Sequence, residues 1–131
     1  MKSMDLKMLI RKAFEARENS YSPYSGFRVG AALLCGDGTV YTGCNIENRA
    51  YGPTNCAERT AFFKAVSEGR REFAAIAIVG GSGEPEWCYP CGVCRQVMAE
   101  FCSPEEFQII CAKSEEEYQM FTLGELLPVM F

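Results

Sequence analysis

Two short cysteine motifs, Cys56-Ala57-Glu58 and Pro90-Cys91-Gly92-Val93-Cys94, stand about 35 residues apart and constrain this chain more than any other feature. Each lies where a helical pattern begins, so a fold that joins them must bring two helix N-termini together. Cys91 and Cys94 are three apart, which puts both sulfurs on one face of a helical turn. Helix N-termini favour thiolates through free N–H donors and partial positive charge. Three thiolates match the ligand count of a catalytic zinc site, which keeps its fourth position for water; a structural site takes four protein ligands. The chain has no histidine, so no imidazole can hold a metal or act as a base. Glu58, two residues from Cys56, is then the candidate for moving protons, against the plainer alternative of an exposed helix glutamate. Arg59 is the candidate counter-charge, hydrogen-bonding the ligand sulfurs of a thiolate-rich site; its alternative is a solvated helix-surface residue.

The motif leaves one register open. Cys88, Cys91 and Cys94 are all spaced by three, so Cys88–Cys91 competes with Cys91–Cys94 as the ligand pair. Pro90 favours the second, because proline suits a helix start and leaves Cys88 in the loop. A closed site of Cys56, Cys88, Cys91 and Cys94 is a further alternative, one that gives Glu58 no purpose. Cys35, Cys44, Cys102 and Cys111 lie in apolar or β-like runs and are expected to be buried small hydrophobes. Four disulfides are not expected, since no secretion signal is evident and the core needs no staples.

A length of 131 residues predicts one domain over 1–131 with a single core. Hydrophobic residues at 48% and charged residues at 23% are an ordinary soluble balance. A net charge of −4 without a basic block argues against nucleic acid as a partner. No apolar run approaches a bilayer span, so no membrane partner and a cytoplasmic location are expected. Helical spacing of Leu6, Leu9, Ile10, Ala13 and Phe14 predicts a helix over 5–18. Runs 28–35 and 39–46 flank Gly36-Asp37-Gly38 as a hairpin. A second helix is predicted from Cys56 to Glu68 with Gly69 as its stop, and a buried strand over 73–79. A third helix runs from Pro90–Cys91 to Phe101, followed by strands over 107–112 and 117–121. Thr122-Leu123-Gly124-Glu125 matches a capping box for a last short helix ended by Pro128. This order predicts an α/β layered domain, a mixed sheet with helices on both faces.

The chain resembles the zinc-dependent nucleoside deaminases, and most closely the small three-cysteine cytidine deaminases. The resemblance covers nearly the whole chain. It rests on Cys56-Ala57-Glu58-Arg59, on Pro90-Cys91-Gly92-Val93-Cys94-Arg95-Gln96, on Ser22-Pro23-Tyr24-Ser25-Gly26-Phe27 with Val29-Gly30-Ala31-Ala32-Leu33, and on Gly43-Cys44-Asn45-Ile46-Glu47-Asn48. It implies a three-layer α-β-α domain around a central mixed five-stranded sheet, and one Zn²⁺ per chain. It also implies hydrolysis of cytidine and deoxycytidine to uridine and deoxyuridine with release of ammonia, in pyrimidine salvage. By matching positions, Phe27 stacks on the pyrimidine and Asn45 and Glu47 bind the ribose 3′-hydroxyl. Glu58 also meets N3, and backbone groups near Ala57, Tyr89 and Cys91 complete the base contacts. A homotetramer with shared active sites is implied, with Tyr51 and Phe131 contributed across the interface. Plainer alternatives are a core Phe27, Asn45 and Glu47 as turn residues, and an apolar tail folded back on its own core. Arg28 stands where close relatives often carry proline, and residues 52–55 make the loop before Cys56 less predictable. Rival functions are a deaminase of a related compound such as blasticidin S, a polynucleotide-editing deaminase, and a zinc-stabilised structural module.

Overall fold

The structure is a computed structural model and describes residues 3–131. The elements run α1 (Ser3–Arg17), β1 (Arg28–Cys35), β2 (Val40–Cys44), α2 (Ala57–Ser67), β3 (Phe73–Gly81), α3 (Gly92–Phe101), β4 (Gln108–Ala112), β5 (Tyr118–Thr122) and α4 (Leu123–Leu126). One five-stranded sheet has the order β2-β1-β3-β4-β5. Only the β3–β4 pair is parallel, with α3 as its crossover; the other three pairs are antiparallel. This is the mixed sheet with helices on both faces that the element order predicts.

Strand alternation sorts the core into two layers. Ala31, Leu33, Ile76, Ile78, Ile109 and Cys111 point to the face covered by α2 and α3, where Phe62, Phe107 and Met98 fill the space. Ala32, Ala75, Ala77, Val79, Ile110 and Ala112 point the other way, against Leu6, Leu9, Ile10 and Ala13 of α1. The α1 face is lined largely by alanine, and the helix lies close on it. At Gly30 a Cβ would stand 2.1 Å from the Ala13 carbonyl oxygen, so no larger residue fits there.

The helix ends follow local chemistry. After α2, Gly69 takes φ +92°, its N–H reaches Val66 O at 3.0 Å and the Arg70 N–H reaches Ala65 O at 3.0 Å. That pair of hydrogen bonds is a Schellman stop and accounts for the end of the helix. Thr122 and Glu125 form the expected reciprocal capping box of α4. Some boundaries move. β2 stops at Cys44 rather than 46, because Asn45 turns its side chain back onto β1 and Ile46 makes isolated bridges with Tyr21 and Asn55. β3 continues to Gly81, and α3 begins at Gly92 with Cys91, not Pro90, at the cap.

Candidate active site

α2 and α3 begin side by side, each with a cysteine as its N-cap. Cys56 Sγ lies 3.8 Å from Cys91 Sγ, and the sulfurs of Cys56, Cys91 and Cys94 all fall within 4.8 Å of one another. Tetrahedral bonds of about 2.3 Å imply a sulfur–sulfur edge of about 3.8 Å, so the donor set fits a zinc ion. Cys88 is not part of the cluster. It lies in the loop, its thiol pushed up to about 12 by burial and the neighbouring Glu58 charge.

The electrostatics around the thiols also suit a cation. The Cys94 N–H reaches Cys91 Sγ at 3.5 Å, as an N-terminal helix N–H should. Arg59 donates from Nη2 to Cys56 Sγ at 3.2 Å. Its Nε is buried without a partner of its own. The hydrogen bond with Cys94 and the Arg59 charge hold the Cys56 thiol well below its ordinary range, although burial opposes this. The same pairing, with burial, pushes Cys94 up. Metal binding to such a cluster must release protons.

Glu58 is 4% exposed and is the sole buried charged residue among the described residues. Burial pushes its carboxyl up to about 7, with the Cys56 charge acting in the same direction. A carboxyl poised there can both take and return a proton near neutral pH. Arg95 fastens the other side of the site, donating from Nε to Pro90 O at 2.8 Å and from Nη1 to Leu126 O at 2.7 Å.

A cavity of about 190 Å³ opens over the thiols, lined in part by Val29, Asn45, Glu47, Ala57, Glu58 and Cys88. A second hollow of about 320 Å³ continues from Glu47 and Thr54 to Tyr24, Asn48 and Tyr51. Larger cavities of about 390 Å³ lie elsewhere, but neither gathers a metal-ligating cluster. Convergent chemistry, not size, marks the site.

The residues expected to meet the substrate are held differently. Asn45 Oδ1 accepts from Val29 N–H at 2.9 Å and from the Ser20 hydroxyl, and its Nδ2 donates to Phe27 O at 2.8 Å. Its second Nδ2 hydrogen has no acceptor among the described residues. Glu47 accepts from the N–H groups of Tyr24 and Ser25 at 3.0 and 3.1 Å and from the Ser25 hydroxyl. The Ser25 hydrogen bond keeps its carboxyl below the usual range. Phe27 is half-buried and packs on the core, its Cε2 3.0 Å from where a Gly80 Cβ would stand. Tyr89 lines the cavity and donates its hydroxyl to Gln119 Oε1 at 2.7 Å.

Tyr51 and Phe131 stand outside this group. Tyr51 is 79% exposed at φ +63°, a left-handed conformation imposed by the turns of 48–54. Phe131 is fully exposed, whereas Met130 beside it packs on the core. Val29, Thr54 and Asn55 also line the cavity, and sequence reasoning misses them because nothing in their types marks them. Ser25, which orders Glu47, lies inside a motif segment whose individual roles the spacing does not reveal.

The comparisons agree with this geometry. The family described as "Cytidine and deoxycytidylate deaminase zinc-binding region" matches residues 3–111. A cytidine deaminase of Halalkalibacterium halodurans is 55% identical over 128 residues, 98% of this chain and 95% of the relative. A cytidine deaminase of Mycobacterium tuberculosis is 40% identical over 131 residues, covering 100% of this chain and 92% of the relative. The crystal structure of cytidine deaminase from Burkholderia pseudomallei superposes with a TM-score of 0.86 at 48% identity, over 95% of this chain and 97% of that one. The chain belongs to the cytidine and deoxycytidylate deaminase family, whose zinc-binding region it carries.

Proposed function

We propose that this protein deaminates free cytidine and deoxycytidine by hydrolysis, water and substrate giving uridine or deoxyuridine and ammonia. The observation that carries it is the buried Glu58 beside three converging thiols at two helix starts. Cys56, Cys91 and Cys94 hold zinc, which supplies Lewis-acid activation of water when bound. Glu58 takes one proton from the attacking water and delivers it to N3 of the base; it then takes the second from the new C4 hydroxyl and passes it to the departing amine as the carbonyl forms. Arg59 offsets the negative charge of the thiolates. Phe27 stacks on the pyrimidine, and backbone groups of Ala57, Tyr89 and Cys91 meet the base edge.

Glu47 and the free Nδ2 hydrogen of Asn45 receive the ribose 3′-hydroxyl. A carboxylate kept ionised at this wall also opposes a phosphate placed nearby, which favours nucleosides over nucleotides. The name of the Halalkalibacterium relative supports the same substrate class. The active unit is a homotetramer in which Tyr51 and Phe131 of neighbouring chains complete each pocket. Their support is physical: Tyr51, Val129 and Phe131 are exposed at 79%, 86% and 103%, apolar surface that a partner would cover. A single domain and a cytoplasmic role in pyrimidine salvage complete the proposal. Among the described residues, no helix is long and apolar enough to cross a membrane.

Ammonia release from cytosine, cytidine, deoxycytidine, cytidine 5′-monophosphate and adenosine tests the assignment. Turnover of the two cytosine nucleosides alone is expected. Zinc binding with no ammonia from any nucleoside would mark a structural module instead.

A further inference from the structure

Arg17 is the last residue of α1, and its guanidinium reaches two separate chain segments at once. Its Nε donates to Arg28 O at 3.2 Å, and its Nη2 donates to Gly81 O and Gly83 O, both at 2.8 Å. Among the described residues no carboxylate pairs with it. A partly buried cation without a counter-ion is expensive unless backbone dipoles surround it, so these three carbonyls set where it sits. The helix end packs closely on β1: a Cβ on Gly30 would stand 2.5 Å from the Arg17 nitrogen.

Each of the two segments so joined runs into a residue that lines the active-site cavity, Val29 directly after Arg28 and Cys88 beyond Gly83. Arg28 follows Phe27, and Gly81 follows Gly80. Over Gly80 the Cβ of Cys88 and the Cε2 of Phe27 meet, 2.8 and 3.0 Å from where a Cβ would lie. Gly81 at φ +146° starts the loop that returns through Glu86, whose N–H bonds Gly80 O at 2.8 Å. Among the described residues, no other side chain hydrogen-bonds both the segment carrying Phe27 and the 81–88 loop.

We propose that Arg17 is a positioning residue for the base-stacking wall: by bonding Arg28 O and the carbonyls of Gly81 and Gly83, it keeps Phe27 and Cys88 packed together over Gly80. It touches neither substrate nor metal ligands, so it acts on binding of the base and not on proton transfer. The kinetic consequence rests on the deaminase assignment above; the coupling of the two segments does not.

The test uses full-length Arg17→Met, which keeps the aliphatic stem, and Arg17→Lys, which keeps the charge but cannot fork across both segments. Both are expected to raise the cytidine KM by about five- to tenfold, the loss of one or two hydrogen bonds, with kcat within about twofold and zinc content unchanged. In a Phe27→Leu background the same change should add little, because the group being positioned is gone. Hydrogen exchange at Val29 and across 81–89 should speed up together in both variants. That readout needs no activity, so it separates a failed tie from a failed deaminase assignment, which would show as no ammonia from the wild type. An unchanged KM, a fall in kcat with zinc loss, full additivity with Phe27→Leu, or faster exchange in one segment alone overturns the proposal. If Arg17→Met yields no folded protein, Arg17→Lys carries the same expectations.

Discussion

At one end of the pocket, Cys56, Cys91, Cys94 and Glu58 sit on the first turns of two helices packed on the sheet. Away from the helix starts, Phe27, Asn45, Glu47 and Tyr51 sit on connecting segments; Asn45 and Glu47 line the same cavity and Tyr51 the adjoining hollow. The first group is placed by helix geometry: a thiol at the N-cap and one three residues on can only converge. The second is placed by cross-links between segments, with Ser25 and the Tyr24 N–H holding Glu47 and the Phe27 and Val29 backbone holding Asn45. On the proposed assignment, the reacting groups rest on helix starts, whereas the selecting groups rest on side-chain ties that can be altered singly.

The contrast breaks most visibly at the helix starts. Replacing Cys56, Cys91 or Cys94 with Ala should abolish both zinc and turnover. Cys88→Ala should keep both, and zinc analysis beside ammonia release distinguishes them. Metal loss in Cys88→Ala would return the ligand set to the Cys88–Cys91 register.

Next comes Glu58→Gln, expected to lower kcat by at least about 10²–10⁴-fold while zinc and fold remain. Near-normal turnover in the Glu58→Gln enzyme would remove the carboxylate from the mechanism.

At the recognition end the effects should be smaller and confined to binding. Glu47→Ala should weaken nucleoside binding by about 1–3 kcal/mol, seen as a higher cytidine KM with the metal intact. Comparable use of free cytosine and cytidine by the wild type would contradict a sugar-binding role.

Deletion of Met130 and Phe131 should raise KM by a few-fold, about the contribution of one aromatic contact, or shift the assembly in sedimentation, without zinc loss. An active wild-type monomer would refute the shared site.

The smallest effect concerns pH. The Ser25 hydrogen bond lowers the Glu47 pKa, so the charged form persists as pH falls and is lost only below the usual carboxylate range. Ser25→Ala should raise that pKa. The acidic rise in cytidine KM should then start at a higher pH than in the wild type, with the neutral-pH kcat unchanged.

These two ends also differ in how far they are legible in the sequence. The zinc end is local: helix-start signals such as Pro90, the three-residue spacing and the absence of histidine restrict what Cys56, Cys91, Cys94 and Glu58 can do. Apolar patterning, the Gly36-Asp37-Gly38 turn and the Thr122–Glu125 capping box likewise locate the helices and strands within a few residues, because these signals are written in the chain locally. Boundaries moved at β2, β3 and the start of α3; at β2 the cause is Asn45, whose side chain found tertiary partners in the backbone of Phe27 and Val29.

What the amino-acid order alone determined is therefore the set of elements, their buried faces, and the thiol-rich chemistry that two helix starts can support. Only the tertiary structure decided that Cys88 stays outside the cluster, that Glu58 is buried enough to hold its carboxyl near 7, and that Arg17 bridges two carbonyl-bearing segments. Each depends on contacts between residues far apart in the chain. Burial and hydrogen bonding of that kind come from the packed sum of all the elements, and no short spacing encodes them.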